Sequence, residues 1–351
     1  MQDIRNKEVF VEDDSDIMEI NSAGVVLSYY RNKYSLTLEQ VCDGICSASK
    51  LLRMEKGIRC VDSLTSSQLL ERIGKTVDQF EQLLNDEDNE LWCARESIKK
   101  NMQQRKYEKV REDLTLYRTM KNSAPNLHEQ FCLYQEIKMV VGRLGSIGRD
   151  QYVPSGEQTE LCETALCALH LTKPAFMFGD NGEKQLYTST EIELILLMVH
   201  YGEYWTDIRT ENTLLNLFQH VEYYYSERRK QQMGYLILME LIEVVQRLQD
   251  WDKELVYIDK SIDFVAQGRE ITGLGMLHFL RAQALMRRYG TEVVAVNTGG
   301  HDSYHDIRHE IQRECLMAYS ICEVFGDVCQ MEEIRRFCEE GLGWQITRLE
   351  M

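Results

Sequence analysis

Proline is nearly missing from this chain: Pro125, Pro154 and Pro174 are the three in 351 residues. Proline removes an amide donor and breaks helix interiors, so its scarcity lets helices follow one another with few forced stops. Long apolar runs are missing too. The longest, "IELILLMVHYG", is short and flanked by polar residues, so no membrane span is expected. The opening "MQDIRNKEVFVEDDSD" has neither a basic n-region nor an apolar core and predicts no signal peptide. Enzyme signatures are absent as well, with no P-loop, no Gly-x-Gly-x-x-Gly after a strand, no nucleophile elbow and no HExxH. The expectation is a cytoplasmic protein that is not an enzyme and carries no cofactor.

Cysteine is present, but not in a framework. The eleven residues are an odd number and scattered, which in a chain without an export signal predicts reduced thiols. The closest sets, Cys42/Cys46 and Cys162/Cys167, do not combine into zinc-ligand spacing, so no metal is expected. His301, His305 and His309 fall at i, i+4 and i+8. Two such histidines can hold zinc, but the third diverges by a further turn, and a solvated loop-to-helix junction is the expectation.

Basic charge is in short supply, with 40 Lys and Arg against 57 Asp and Glu and a net charge of −17. The deficit is uneven. Residues 1–20 hold two basic and seven acidic side chains, whereas residues 21–85 hold eight basic and seven acidic. A nucleic-acid contact over the whole surface is excluded, and residues 21–85 are the one stretch that permits a local one.

What the chain does have is helical periodicity from end to end. Residues 1–20 read as a solvated acidic tail. Five short amphipathic patterns then follow within residues 21–85: "AGVVLSYYRNKY", "TLEQVCDG", "SASKLLRMEKG", "TSSQLLERIG" and "TVDQFEQLL". Ser47, Thr65 and Thr76 are the expected N-caps, because their hydroxyls can accept from free first-turn amides. Longer helices are expected at 90–120, 125–143, 156–171, 189–204, 210–228, 231–249, 252–267, 271–289, 303–325 and 328–342, with an exposed loop at 290–302. "EIELILLMVHYGEYW" and "QQMGYLILMELIEVVQRL" are too apolar for one stripe and predict cover on more than one side. "VEYYYSERRKQQ" reads as a helix end whose cations meet the dipole. "KYEKVREDL" and "DWDKELVYIDKSI" share an aromatic, an acid–Lys pair and a following aliphatic, a trace of a helical repeat near the tetratricopeptide period.

The stretch "TLEQVCDGICSASKLLRMEKG" has the parts of a helix-turn-helix. Thr37–Asp43 would be the supporting helix, Gly44 the turn and Ile45 an apolar plug, with Ser47 capping the second helix. Leu51 and Met54 would face the core, and Ala48, Ser49, Lys50 and Arg53 would point outward. Arg53 could fork onto guanine O6 and N7. Periodicity alone leaves an ordinary surface helix equally open.

Residues Gly24 to about Leu84 resemble the Cro/phage-repressor (XRE) helix-turn-helix family. "GVVLSYYR" matches through Gly24, Leu27 and Arg31, and "GICSASKLLRMEKGIR" through Gly44, Ile45, Ser47, Ser49, Leu51, Arg53, Glu55, Gly57 and Arg59. Leu38 and Leu52 depart from frequent Gln and Ser. The resemblance implies base reading by Ala48, Ser49 and Arg53, with Ser47 and Lys50 beside them, and phosphate contacts at Thr37, Lys56 and Arg59. With Ala48 offering only a methyl group, direct readout is thin and dimerisation is expected.

A Cro-like module before a degenerate tetratricopeptide array resembles the peptide-responsive regulators of Gram-positive bacteria of the Rgg, PlcR and PrgX type. The implied fold is all-α: a five-helix helix-turn-helix domain at 21–85, linker helices at 86–122, and a right-handed α-solenoid at 123–351 for ligand binding and dimerisation. The implied function is a transcriptional regulator that binds an operator in double-stranded DNA as a homodimer, controlled by a short signalling peptide. Tyr134, Asn212, Asn216 and Tyr235 would hold the peptide backbone, with Glu240, His278 and Arg281 as charged anchors. The alternative is a protein-interaction adaptor with a vestigial helix-turn-helix. A third expectation gives the acidic tail an autoinhibitory role against Lys50, Lys56 and Arg59.

Overall fold

The structure is a computed structural model, and it describes residues 23–58, 62–76, 86–144, 155–179, 185–202, 208–268, 273–295 and 302–346. The acidic tail, the fifth short helix after Thr76, and Arg59 lie outside them. Fifteen α-helices and no strand occur among the described residues, as the all-α expectation requires. Contacts divide the chain into two compact units, Met1–Gly202 and Glu203–Met351. The division falls inside the segment 123–351 expected to form one domain.

The first unit begins with α1 (Ala23–Lys33), α2 (Leu38–Cys42), α3 (Ala48–Glu55) and α4 (Ser63–Arg72), with α1 and α2 each packed on both α3 and α4. Glycine at position 24 lets α1 reach α3, since a Cβ there would sit 2.2 Å from the Met54 carbonyl oxygen. The same two helices are joined by a bidentate pair, with Arg31 Nε 2.7 Å and Nη2 2.9 Å from the Glu55 carboxylate oxygens. Three residues shared with the Cro-like motif therefore hold the scaffold together.

Helices α5 (Asp86–Gln103), α6 (Tyr107–Thr119), α7 (Pro125–Leu144), α8 (Ser155–His170) and α9 (Ser189–Tyr201) then pack in sequence, each on the next. Leu91, Ile98, Val110, Leu114, Tyr117, Cys132 and Met139 form the core of α5 to α7. The single helix expected over 90–120 is two. At the break Arg105 takes φ 55, its amide donates to the Met102 carbonyl at 2.9 Å, and the Lys106 amide donates to Asn101 at 3.0 Å. This is a Schellman stop with arginine at the left-handed position, where glycine is usual. No glycine or proline announced it.

The second unit holds α10 (Ile208–Tyr224), α11 (Glu227–Arg247), α12 (Trp251–Gln267), α13 (Leu274–Ala295), α14 (Asp302–Phe325) and α15 (Val328–Leu342). Each packs on its successor, the nearest-neighbour pattern of a solenoid. The heavily apolar α9 and α11 are buried on more than one side, through Ile192, Leu194, Ile195, Leu196, Met198 and Val199 in α9 and Ile237, Leu238, Leu241, Ile242, Val244 and Val245 in α11. Residues 290–295 correct an expectation: they continue α13 instead of opening a loop. β-Branched residues lower helix propensity by only a few tenths of a kcal/mol, too little to stop a helix. The last part of that expected loop, 296–301, lies outside the described residues, as does His301; His309 is exposed on α14.

Candidate nucleic-acid interface

The candidate reading element is α3, and both of its ends are built from local signals. Thr37 starts α2 with a capping box, its hydroxyl accepting from the Gln40 amide at 3.1 Å while Gln40 Oε1 accepts from the Thr37 amide at 2.9 Å. Gly44 carries φ 67 in the turn between α2 and α3. Ser47 caps α3, its Oγ accepting from the Lys50 amide at 3.2 Å. At the far end the Gly57 amide reaches the Met54 carbonyl and the Ile58 amide reaches Arg53, both at 2.9 Å. That Schellman closure accounts for the "MEKGI" ending.

The two faces of α3 are distinct. Leu51 and Met54 are 0% and 5% exposed, and Ile45 plugs the turn at 8%. Ser47, Ser49, Arg53 and Lys56 are exposed, as is Thr37 at the start of α2, while Ala48 and Lys50 are half-buried. Lys50 Nζ lies 3.9 Å from the Asp62 carboxylate. Asp62, not Thr65, caps α4: it accepts from the Thr65 amide and hydroxyl and from the Ser123 hydroxyl, each at 2.8 Å. A carboxylate is a stronger acceptor than a hydroxyl, and Thr65 becomes a donor in the first turn. Burial tends to raise the Asp62 pKa, but these donors and Lys50 more than compensate and hold it below the usual carboxylate value.

Behind the exposed face of α3 lies a polar interior that no local sequence signal announces. Arg72, at the end of α4, is fully buried and pairs at 2.8 Å with Glu191, also fully buried. It donates as well to the Val41 and Asp43 carbonyls at the end of α2. Glu191 further accepts from the Thr172 hydroxyl at 2.7 Å and the Thr188 amide at 2.8 Å. Burial alone would raise its pKa, yet Arg72, Lys173, the Thr188 amide and the Thr172 hydroxyl hold it low. Lys173 reaches Asp43 at 3.1 Å, and the Ser189 amide reaches Glu71 at 3.2 Å. At Gly44 a Cβ would lie 1.8 Å from the Thr172 carbonyl oxygen, so position as well as backbone angle demands glycine there. The supporting helix, turn and α4 are thus held against the start of α9 and the segment before it.

A second buried chain begins beside the cap of α4. Ser63 donates through its amide and hydroxyl to Asp88 at 2.9 Å; Arg95 donates to the Ser63 hydroxyl at 2.6 Å and the Tyr117 hydroxyl at 3.2 Å; Tyr117 meets His128 Nδ1. Burial, with Arg95 nearby, pushes the His128 pKa down to about 4, so the ring is neutral near pH 7.

The expected ligand residues fall in both units. Tyr134, in the first, is buried and donates its hydroxyl to Glu193. In the second, Asn212 and Glu240 are half-buried, Asn216 is exposed, and Tyr235 packs half-buried on the core of α12 to α15. His278 and Arg281 come together around Glu314, at 2.6 and 3.2 Å, and Arg281 also pairs with Asp259 and Glu310. The open grooves described in the first unit run elsewhere. One of about 450 Å³ is lined by Tyr107, Arg111, Met139 and Arg143 among others, and none of the expected ligand residues lines it. Among the described residues no helix is long and apolar enough to cross a membrane.

Three solved structures are similar to the chain at low identity. PlcR of Bacillus thuringiensis, in complex with the peptide PapR7 and DNA, shares 12% identity over 90% of this chain and 99% of its own, with a TM-score of 0.41. The apo form of the competence regulator ComR from Streptococcus vestibularis shares 13% over 92% and 98%, with a TM-score of 0.42. ComR from S. thermophilus, in complex with DNA and its signalling peptide ComS, shares 16% over 89% and 97%, with a TM-score of 0.38. No protein-family model and no curated protein matches.

Proposed function

We propose that the chain is a sequence-specific DNA-binding transcriptional regulator that reads its operator with α3. The observation that carries this is the division of α3: Leu51 and Met54 anchor one face while Ser49, Arg53 and Lys56 stand exposed on the other. Such a helix, capped at both ends and backed by a supporting helix, is the form that enters a major groove. Arg53 reads guanine, with Ser47, Ala48, Ser49 and Lys50 around it, and Thr37, Lys56 and Arg59 hold phosphates. One such helix gives few base contacts, so two copies bind as a homodimer. Residues 21–85 form the DNA-binding domain, 86–122 the linker helices, and 123–351 the ligand-binding and dimerisation region.

PlcR is described with the peptide PapR7 and ComR of S. thermophilus with its signalling peptide ComS; in our reading a short signalling peptide is the controlling ligand here too, bound by the helical array in the cytoplasm of the cell. Tyr134, Asn212, Asn216, Tyr235, Glu240, His278 and Arg281 are its proposed contacts. The protein acts as a regulator, not an enzyme.

The test is direct. Fragments recovered by genome-wide footprinting of the full chain are titrated by anisotropy across a salt series, for wild type and Arg53→Ala. A DNA reader loses affinity steeply as salt rises, and the variant loses its preference for the recovered sequence while remaining folded. Equal affinity of the variant and wild type for that sequence would falsify the assignment of α3. An adaptor would show no sequence preference in either form.

A further inference from the structure

We propose that the exposed face of α3 is a docking surface for the chain's own acidic segment, residues 12–19, which occupies Arg53 and Lys56 until operator DNA displaces it. The consequence for DNA rests on the assignment of α3 above; the docking itself is tested without DNA.

The charge is in the sequence. Residues 12–19 read "EDDSDIME", with five carboxylates in eight residues and no cation. Where that charge is attracted is set by the structure. Seven Lys and Arg side chains fall among the described residues between 23 and 76. Arg31 pairs with Glu55, Lys50 with Asp62 and Arg72 with Glu191. Lys33 lies over the Tyr29 and Tyr30 rings, and Lys75 over the Tyr30 ring at 4.0 Å. Arg53 and Lys56 remain. Both are exposed, three residues apart at the end of α3, and neither meets a carboxylate or a ring among the described residues. Of the three cations expected to face the acidic tail, Lys50 is half-buried beside Asp62 and Arg59 lies outside the described residues, so Lys56 is the one left to it.

The acidic segment is tethered at the same place. Helix α1 begins at Ala23, and a Cβ on Gly24 would lie 2.2 Å from the Met54 carbonyl oxygen and 3.4 Å from the Glu55 Cα. Glu55 is the residue before Lys56. The chain preceding α1 is therefore joined to the domain beside the last turn of α3. Glu19 stands four residues before Ala23, and Glu12 eleven. At no more than about 3.6 Å per residue, those tethers extend to at most about 14 and 40 Å. Helix α3, with eight residues, is about 12 Å long. The whole segment is within tether length of Arg53 and Lys56.

Exposed ion pairs are weak one at a time, because water and salt screen them. Two conditions favour this contact all the same. The carboxylates outnumber the cations, so several arrangements serve equally well. The tether also holds them at an effective concentration on the order of millimolar. A contact of millimolar affinity is then populated without being permanent, and a fixed array of phosphates displaces it. The segment covers cations that any duplex needs, so it lowers affinity for all DNA and leaves the preference between sequences unchanged.

The full chain, without DNA, is treated with a water-soluble carbodiimide, which joins a carboxylate to a lysine amine in contact with it, and is digested with trypsin. We expect peptide 8–31 joined to peptide 54–59 through Lys56, in a yield that falls as salt is raised from about 50 mM to about 0.5 M. Tandem mass spectrometry should place the bond at residues 12–19. A digest in which the exposed Lys121–Glu87 pair is joined, but Lys56 is joined to no residue of 12–19, overturns the docking. So does a mixture of isotope-labelled and unlabelled protein in which heavy and light halves are joined, because the segment then docks on a second copy.

In the second arm, operator fragments from the footprinting are titrated with wild type and with a variant carrying Glu12→Gln, Asp13→Asn, Asp14→Asn and Asp16→Asn. At about 50 mM salt the variant binds roughly fivefold more tightly, and the two converge near 0.5 M. A control carrying Glu90→Gln, Glu96→Gln, Glu108→Gln and Glu112→Gln, all exposed on α5 and α6, has the same net charge and binds as wild type does. Equal tightening by the control reduces the effect to net charge and overturns the occlusion of α3. Cross-linking with unchanged affinity overturns the competition with DNA alone. No sequence preference in any form overturns the DNA-reading assignment and leaves the cross-link to decide the docking.

Discussion

The two sides of the helix-turn-helix are built by opposite means. The front, along α3, is apolar anchoring by Leu51 and Met54 beneath exposed Ser49, Arg53 and Lys56. The back, around Arg72, is an ionic joint in which a guanidinium and a carboxylate are both fully buried. A charged group at the front costs little to change, because water replaces whatever it loses. At the back neither side chain is exposed to solvent, and each charge depends on its partner. Function can vary on the front without unfolding the chain, whereas the back tolerates almost nothing.

The largest effect should come from breaking the back. Glu191→Ala strands the Arg72 charge and should destabilise the first unit by about 3–5 kcal/mol, measured by urea unfolding. A loss below about 1 kcal/mol would mean that the joint is hydrated and that the contrast between the two sides does not hold. Acid provides a second probe of the buried side. His128 is depressed to about 4 from an unfolded value of about 6.5. Between those values the unfolded chain binds the extra proton, so stability falls as pH drops from about 6.5 to about 4, by up to roughly 3 kcal/mol. Asp62 and Glu191, both held low, add a further loss only below about pH 4. His128→Gln should flatten the upper part of this profile and leave the lower part, as pH-resolved denaturation would reveal.

At the front, Arg53→Ala should weaken operator binding by about 1–3 kcal/mol, with a change in unfolding free energy within about 0.5 kcal/mol. A destabilisation comparable to that of Glu191→Ala would show that the front is structural after all. The smallest effect is expected at the boundary between the sides. Ser47→Ala removes the cap of α3 and should cost about 1 kcal/mol, visible as a modest drop in melting temperature and a smaller one in operator affinity.

The front was legible because its signals are local. A cap, its Lys50 amide, the Leu51 and Met54 spacing and the Gly57 stop all fall within eleven residues, and each can be recognised by type and interval. Helix boundaries in the rest of the chain were mostly legible for the same reason, except where a stop used Arg105 in place of glycine, where 290–295 ran on as helix despite its β-branched residues, and where Arg228, Arg229 and Lys230 open α11 after its Ser226 N-cap instead of ending α10. Thr65 was misassigned as a cap because Asp62, three residues earlier, accepts more strongly. The back left almost no trace. Thr188 and Glu191 have capping-box spacing, which is visible in sequence, but nothing near Arg72 announces a partner 119 positions away. The partners of the expected ligand residues were just as illegible: Tyr134 donates to Glu193, and His278 and Arg281 converge on Glu314.

By itself, the sequence determined that the regular structure among the described residues is helical, where most of those helices begin and end, and which face of α3 is apolar. Those properties follow from periodicity, capping and the left-handed tolerance of glycine, which act over one or two turns of chain. Only the tertiary structure decided that Gly44 abuts Thr172 and that Arg72 is buried against Glu191. Those outcomes depend on which distant groups exclude water from a site, and desolvation is a property of the packed molecule, not of any short segment of it.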